Sequence, residues 1–206
     1  MSKQEILSRK DNEINWEKVR RDFAFLRLLS ELSYDNNWRM VVSGGYGLDA
    51  QLGRITRTHD DLDVIMYGVD SRDRAVKLLS ELIQSKLIDP MISVKSEAFF
   101  ENVDVSSSGF GANMYYVETV EDPNLNINKV RKLDGEVITN TEERFPSPVK
   151  GKLAELIVEV QNPNTHLADI IFKRRTQPHK PTHDQDIKNL ELLTDSTVVE
   201  SILGLV

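Results

Sequence analysis

The sequence predicts an α+β fold, a mixed sheet flanked by helices with a helical C-terminal part. Three observations carry this. Apolar residues recur at helical spacing over 15–35, residues 39–66 read as strand, glycine turn, helix and strand, and residues 91–139 are rich in Val, Ile, Phe and Tyr between turn sequences. A chain of 206 residues can bury a sizeable core. No internal repeat, low-complexity tract or linker divides it. A single domain over 1–206 is expected, with an N-terminal helix in 1–37, a core over 38–140, and a C-terminal strand and helices over 141–206.

Each element has its own signal. Residues 1–11 are a polar lead-in. The first helix sets Trp16, Val19, Phe23, Leu26 and Leu29 on one stripe, widened by Phe25, Leu28 and Leu32, and its aromatics read as packing rather than as a platform for a base. A second long helix begins at Asp70, capped by Asp70 or Ser71, and carries Ala75, Val76, Leu79 and Ile83 to the end near Pro90. Strands are expected over 91–103, 110–118, 124–131 and 136–139, with Asp134-Gly135 the sharpest turn signal. Leu153 to Val160 reads as another strand and 164–175 as a helix ending in Lys173-Arg174-Arg175. That basic run is either a solvated helix end favoured by the dipole or a phosphate contact. Thr182 with Gln185 reads as a capping box opening a helix that faces Ile187, Leu190 and Leu193 inward. A last apolar segment, 198–206, closes the chain.

The stretch from Trp38 to Met66 organises the rest. The apolar run Met40-Val41-Val42 ends in Ser43-Gly44-Gly45. A short helix and a basic turn follow, then a second apolar run carrying carboxylates. Side chains alternate along a strand, so Asp61 and Asp63 share one face while Leu62, Val64 and Met66 share the other. Like charges so close raise each other's pKa, and a bound cation relieves the repulsion; hard oxygen ligands suit magnesium. Glycines at 44 and 45 let the backbone approach a phosphate, and the helix behind them presents free N–H groups. A phosphate cradle beside metal-binding carboxylates is the apparatus of nucleotide chemistry.

The pattern Gly44-Gly45-x-Gly47-x-Asp49, then Leu52-Gly53-Arg54, then Arg57-x-His59-Asp60-Asp61-Leu62-Asp63, resembles the aminoglycoside and lincosamide nucleotidyltransferases of the polymerase-β-like superfamily. The segment from Thr182 to Leu190 is similar to the C-terminal helix of the lincosamide enzymes. The resemblance implies the polymerase-β-like nucleotidyltransferase fold, with 38–140 as its catalytic core. It also implies transfer of a nucleoside monophosphate, AMP from ATP, onto a hydroxyl of a small molecule such as an aminoglycoside or lincosamide, with pyrophosphate leaving. On this reading Asp61 and Asp63 hold Mg2+, Ser43 and the Gly44 and Gly45 amides cradle the phosphates, and Arg57 and His59 neutralise or orient them. Asp60 faces away, Asp49 makes a cap or buried hydrogen bond, and Arg54 is its structural partner. Asp186 is either a helix N-terminal acid or a site residue. Small members of the family often pair, which allows a homodimer.

Such enzymes carry a third carboxylate on a neighbouring strand. The resemblance aligns it with Asn126 in Leu125-Asn126-Ile127-Asn128, and an amide carries no charge and cannot act as a base. Either another acid, such as Asp104, Glu118 or Glu121, reaches the site, or the chain binds nucleotide with impaired transfer. An engineered change at 126 and a transferase acting on RNA or protein are further readings. A net charge of −7, from 26 basic and 33 acidic residues, argues against nucleic acid as partner and suits a cationic substrate. The chain contains no cysteine, which excludes disulfides and cysteine-based zinc sites. No stretch reads as a signal peptide or membrane span, and a cytoplasmic location is expected.

Overall fold

The computed structural model describes residues 14–139, 147–176 and 181–204. The polar lead-in over 1–11 and Pro146 lie outside the described residues. Helix α1, Trp16–Asp35, leads into β1, Arg39–Val42, then α2, Gly44–Leu52, and β2, Leu62–Gly68. Helix α3, Arg72–Lys86, precedes β3, Met91–Ser96, β4, Glu101–Ser107, and β5, Phe110–Glu118. Two short strands, β6, Lys129–Arg131, and β7, Val137–Thr139, pair only with each other, apart from a single bridge from Thr119 to Val130. The hairpin β8, Val149–Leu153, and β9, Leu156–Val160, is followed by α4, Pro163–Thr176, α5, Pro181–Leu190, and α6, Ser196–Leu203.

Seven strands form one sheet in the order β3-β4-β5-β2-β1-β9-β8. The sheet is mixed, as expected: β2 runs antiparallel to β1 and parallel to β5, and β9 runs parallel to β1. Its two faces differ. Leu62, Val64, Met66, Val103, Val105, Ala112, Met114 and Tyr116 are buried under α1 and α3, against Leu26, Leu29, Ala75, Leu79 and Ile83. The residues between them in sequence, Asp63, Asp104 and Asn113, stand half-buried on the opposite face. Apolar and polar positions alternate because one face is covered by helices and the other is left for the site.

A second apolar cluster joins the C-terminal helices to the first half of the chain. Leu48 of α2 packs among Leu167, Ala168 and Ile170 of α4, Ile187 and Leu190 of α5, and Val199 and Ile202 of α6. Pro163 opens α4 at a position where a missing N–H costs nothing, and the Asn162 side chain accepts from Asn164 N at 3.1 Å. Asp195 caps α6 through Thr197 N, and Ser71 caps α3 through Arg74 N.

Several boundaries differ from the sequence reading. The stretch 91–103 is two strands, because the chain turns back at 97–100 with Glu97 N bonded to Phe100 O. Only Lys129–Arg131 of 124–131 is extended. Here Asx turns at Asp122 and Asn126 hold the preceding residues in a loop, accepting from Asn124 N and Asn128 N. Leu153 to Val160 is half of a hairpin turned at Ala154 and Glu155, with Ala154 at φ +50°. Thr182 is not a cap, since α5 already begins at Pro181. On α1, Trp16 is 49% exposed, while Asp22 is fully buried on the helix face that packs inward.

Strand β8 fixes α2 from below: a Cβ on Gly151 would come within 2.9 Å of the Ala50 backbone. Backbone cannot yield as a flexible side chain can. Gly151→Ala is therefore expected to lower stability by about 1–3 kcal/mol in urea titration, with the helix content of the folded state unchanged.

Candidate active site

The site begins where β1 ends. Ser43 occupies the N-cap position of α2 in an extended conformation, and its side chain makes no capping hydrogen bond. The first N–H groups of α2 have no acceptor within the helix, and the dipole adds positive potential there. Gly44 stands at φ +58° with its α-carbon against Asp63, where a Cβ would overlap the Asp63 carboxylate. Only glycine satisfies both demands. A Cβ at Gly45 would overlap the His59 ring in the same way. Ser43 N donates to Asp63 O at 3.0 Å, which ties the turn to β2.

Asp61, just before β2, and Asp63, within it, share the open face. Asn113 of β5 is the Cα partner of Asp63, and its Nδ2 donates to Asp61 Oδ2 at 3.1 Å and to Asp63 Oδ1 at 3.0 Å. Burial and the Asp61 charge push Asp63 up to about 6, while the Asn113 hydrogen bond and Lys173 pull it down. Charge also arrives from α4, where Lys173 Nζ pairs with Asp169 Oδ2 at 2.8 Å. Partial desolvation lowers the Lys173 ammonium, but Asp169, Asp63 and Asp61 outweigh it and hold Lys173 above its ordinary value. Of the two readings of the basic run, its first residue thus answers the site's carboxylates. Arg174 instead pairs with Asp184 at 3.1 Å.

The connection between α2 and β2 is held by a buried carboxylate. Asp49, fully buried, accepts from Thr56 N at 3.1 Å and from Thr56 Oγ1 at 2.6 Å, and its other oxygen meets His59 Nε2 at 2.7 Å. The expected buried hydrogen bond of Asp49 is thus a hub of three. His59 is 2% exposed and lies edge-on to Tyr46 at 4.5 Å. It sits beneath the glycine turn, with its ring against Gly45. Tyr46 in turn donates to Asp22 Oδ2 at 2.6 Å, and Lys18 pairs with the same oxygen at 2.8 Å. Arg54 is exposed and meets Asp49 through the backbone alone, Arg54 N to Asp49 O at 3.1 Å. Arg57 pairs with Asp186 at 3.1 Å, which makes Asp186 a tertiary partner rather than a simple helix-end acid. Asp60 is exposed.

Asn126 is not brought to the carboxylates. It lies in the loop after β5, where its Nδ2 donates to Glu121 and its Oδ1 accepts from Asn128 N. That loop bonds to Asn37 and Arg39 at the start of β1. Because β1 runs antiparallel to β2, this is the end of the sheet away from Asp61. The strand neighbour of Asp63 is Asn113, and the register shift came from reading 124–131 as the strand. Alternation of polar and apolar residues over 110–118 was the signal that could have found it. Glu118 and Glu121 also sit at the far end, held by Arg131 at 2.9 Å and by Lys129. Among the described residues, no three His, Cys, Asp or Glu side chains gather as a metal site. The pair Asp61 and Asp63 still fits a divalent cation: two carboxylates face one space with Asp63 raised by burial and then by the Asp61 charge, and Asn113 can turn its carbonyl oxygen toward it.

The strand, glycine turn, helix and Asp-x-Asp strand on a mixed sheet flanked by helices are the polymerase-β-like nucleotidyltransferase fold. The sequence profile of the family described as aminoglycoside-2''-adenylyltransferase matches residues 25–130, just over half of the 206-residue chain. The chain belongs to that family. The crystal structure of ANT(2'')-Ia in complex with adenylyl-2''-tobramycin superposes with TM-score 0.59 at 14% identity, covering 88% of this chain and 94% of that one. The lincomycin-bound lincosamide adenylyltransferase LnuA gives 0.58 at 14% identity, covering 88% of this chain and 99% of that one. At such identity the likeness is one of fold. Comparison with curated protein sequences finds no match. Among the described residues no helix is long and apolar enough to cross a membrane.

The raised Asp63 sets a pH dependence. Between about pH 4 and 6 the folded chain holds a proton on Asp63 that the unfolded chain has lost, so stability from this group falls as pH rises through that window. Asp63→Asn is expected to raise stability by about 1–2 kcal/mol near pH 7.5 in metal-free urea titration, and to make little difference near pH 4. Added Mg2+ should stabilise the parent chain near pH 7.5 and leave Asp63→Asn unmoved.

Proposed function

We propose that the protein transfers AMP from ATP onto a hydroxyl of a small molecule such as an aminoglycoside or lincosamide, releasing pyrophosphate. The observation that carries this reading is the Asp61 and Asp63 pair set against Gly44 at the uncapped start of α2, in a chain of this family. The ligands named in the ANT(2'')-Ia and LnuA structures support the acceptor class. In this reading the Gly44 and Gly45 amides and Ser43 receive the phosphates. Arg57, half-exposed and steadied by Asp186, orients them, while His59 and Asp49 keep the turn in shape. Mg2+ held by Asp61 and Asp63 would supply charge neutralisation at the phosphate oxygens.

One observation favours a second reading, a nucleotide-binding homologue with impaired transfer. Beside the carboxylate pair stands the amide of Asn113, which cannot accept a proton near neutral pH. The two readings separate in one assay, pyrophosphate release from ATP and Mg2+ with tobramycin or lincomycin. The transferase reading expects acceptor-dependent release that falls by about 10²-fold or more in Asp63→Ala. Silence in the parent chain with activity in Asn113→Asp would instead support the impaired binder.

A further inference from the structure

An in-line transfer needs somewhere to put the acceptor's hydroxyl proton, and Asn113 cannot take it. The sheet register points to where a carboxylate does stand. Asp63 is the Cα partner of Asn113 in β5, and Asn113 is in turn the Cα partner of Asp104 in β4. Partners in register share a face, so Asp63, Asn113 and Asp104 form one row across three strands on the open side of the sheet. The alternation in β4 agrees: Glu101, Val103 and Val105 are buried, while Asn102 and Asp104 between them are half-buried.

The other acids in reach are engaged. Asp169 holds Lys173 at 2.8 Å, and Glu118 and Glu121 are paired with basic residues at the far end of the sheet. Among the described residues no side chain bonds or pairs with Asp104. Next to it on the same face, Asn102 Oδ1 is buried without a partner, and Tyr115, the Cα partner of Asn102, stacks edge-on with Phe100 at 5.3 Å. This is a shelf of polar and aromatic groups beside the carboxylate pair. Two strand spacings separate the Asp63 and Asp104 backbones, on the order of 10 Å. That span suits a hydroxyl group lying between them, about 3 Å from a base and about 3–3.5 Å from phosphorus.

Building on the transferase reading above, we propose that Asp104 is the general base of this chain, displaced by one strand from the position that Asn113 occupies. The acceptor lies on the shelf formed by Asn102, Asp104 and Tyr115. As its hydroxyl oxygen forms the new bond to the α-phosphorus, the bond from that phosphorus to the bridging oxygen breaks. Pyrophosphate departs with the electron pair, and the hydroxyl proton passes to the Asp104 carboxylate and from there to water.

The test uses the full chain with ATP, Mg2+ and either tobramycin or lincomycin, comparing Asp104→Asn, Asn113→Asp and the double variant, with Mg-ATP binding measured by calorimetry for each. The inference expects kcat to fall about 10²- to 10⁴-fold in Asp104→Asn, with the KM for ATP and Mg-ATP binding kept. It also expects activity to return in the double variant, where a carboxylate at 113 takes over. A merely structural role for Asp104 would not produce that rescue. Asp104→Asn within about threefold of the parent would overturn the inference and leave the transferase reading standing. A silent parent with an active Asn113→Asp would overturn it in favour of the impaired binder. Silence in the parent and in Asn113→Asp overturns it as well, and loss of Mg-ATP binding in the parent takes the transferase reading with it.

Discussion

The buried carboxylate of Asp49 is the contact on which the site depends. It gathers Thr56 N, Thr56 Oγ1 and His59 Nε2 within a few residues of chain, and so folds the connection between α2 and β2 back against the helix. A fully buried carboxylate is costly unless its lone pairs are filled. Here they are, and the same bonds decide how the chain enters β2. Asp61 and Asp63 therefore arrive on the open face with Gly44 already against them. His59 carries the constraint further, lying under Gly45 and edge-on to Tyr46, whose hydroxyl reaches Asp22 on α1.

The site also depends on helices distant in sequence. Leu48 inserts its side chain among α4, α5 and α6, which sets α4 beside the carboxylates and α5 beside Arg57. Two consequences follow from that one apolar contact. Lys173 offers a positive charge to a region that holds Asp61 and Asp63, and Asp186 steadies the Arg57 guanidinium at 3.1 Å. The electrostatic balance at the turn is thus shared between the two apolar clusters.

Much of this was legible because short-range rules govern it. Alternation placed Asp61 opposite Leu62, and helical periodicity found α1 to within a residue and α3 with its end overrun by a few residues. Gly44 and Gly45 announced a close approach of backbone to something, although that something in the fold is Asp63 and His59 as much as any ligand. The errors have a common physical origin. Residues 124–128 alternate Asn with Leu and Ile as a half-buried strand would, but Asp122 and Asn126 bond to nearby backbone and hold a loop instead. Once that loop was read as a strand, the neighbour of Asp63 was sought there. Asp22 stayed hidden for the opposite reason: a charged residue on an amphipathic stripe looks like a solvated position until Tyr46 and Lys18 are seen to fill its needs.

By itself, the sequence determined the chemistry on offer: two carboxylates on one strand face, a glycine turn opening a helix, and a family likeness carried by those same residues. Local periodicity and backbone preference act over a few residues, so they can be read without knowing the fold. Tertiary structure decided which groups meet. Strand order and register put Asn113, and not Asn126, beside Asp63, and set Asp104 one strand further along the row. Asp63 and Asn113 lie 50 residues apart in sequence, while the hairpin that then adds Asp104 to the row is local. Only the packing of α1 and α3 on one face, and of the C-terminal helices on α2, selects them from the alternatives the same side chains would allow.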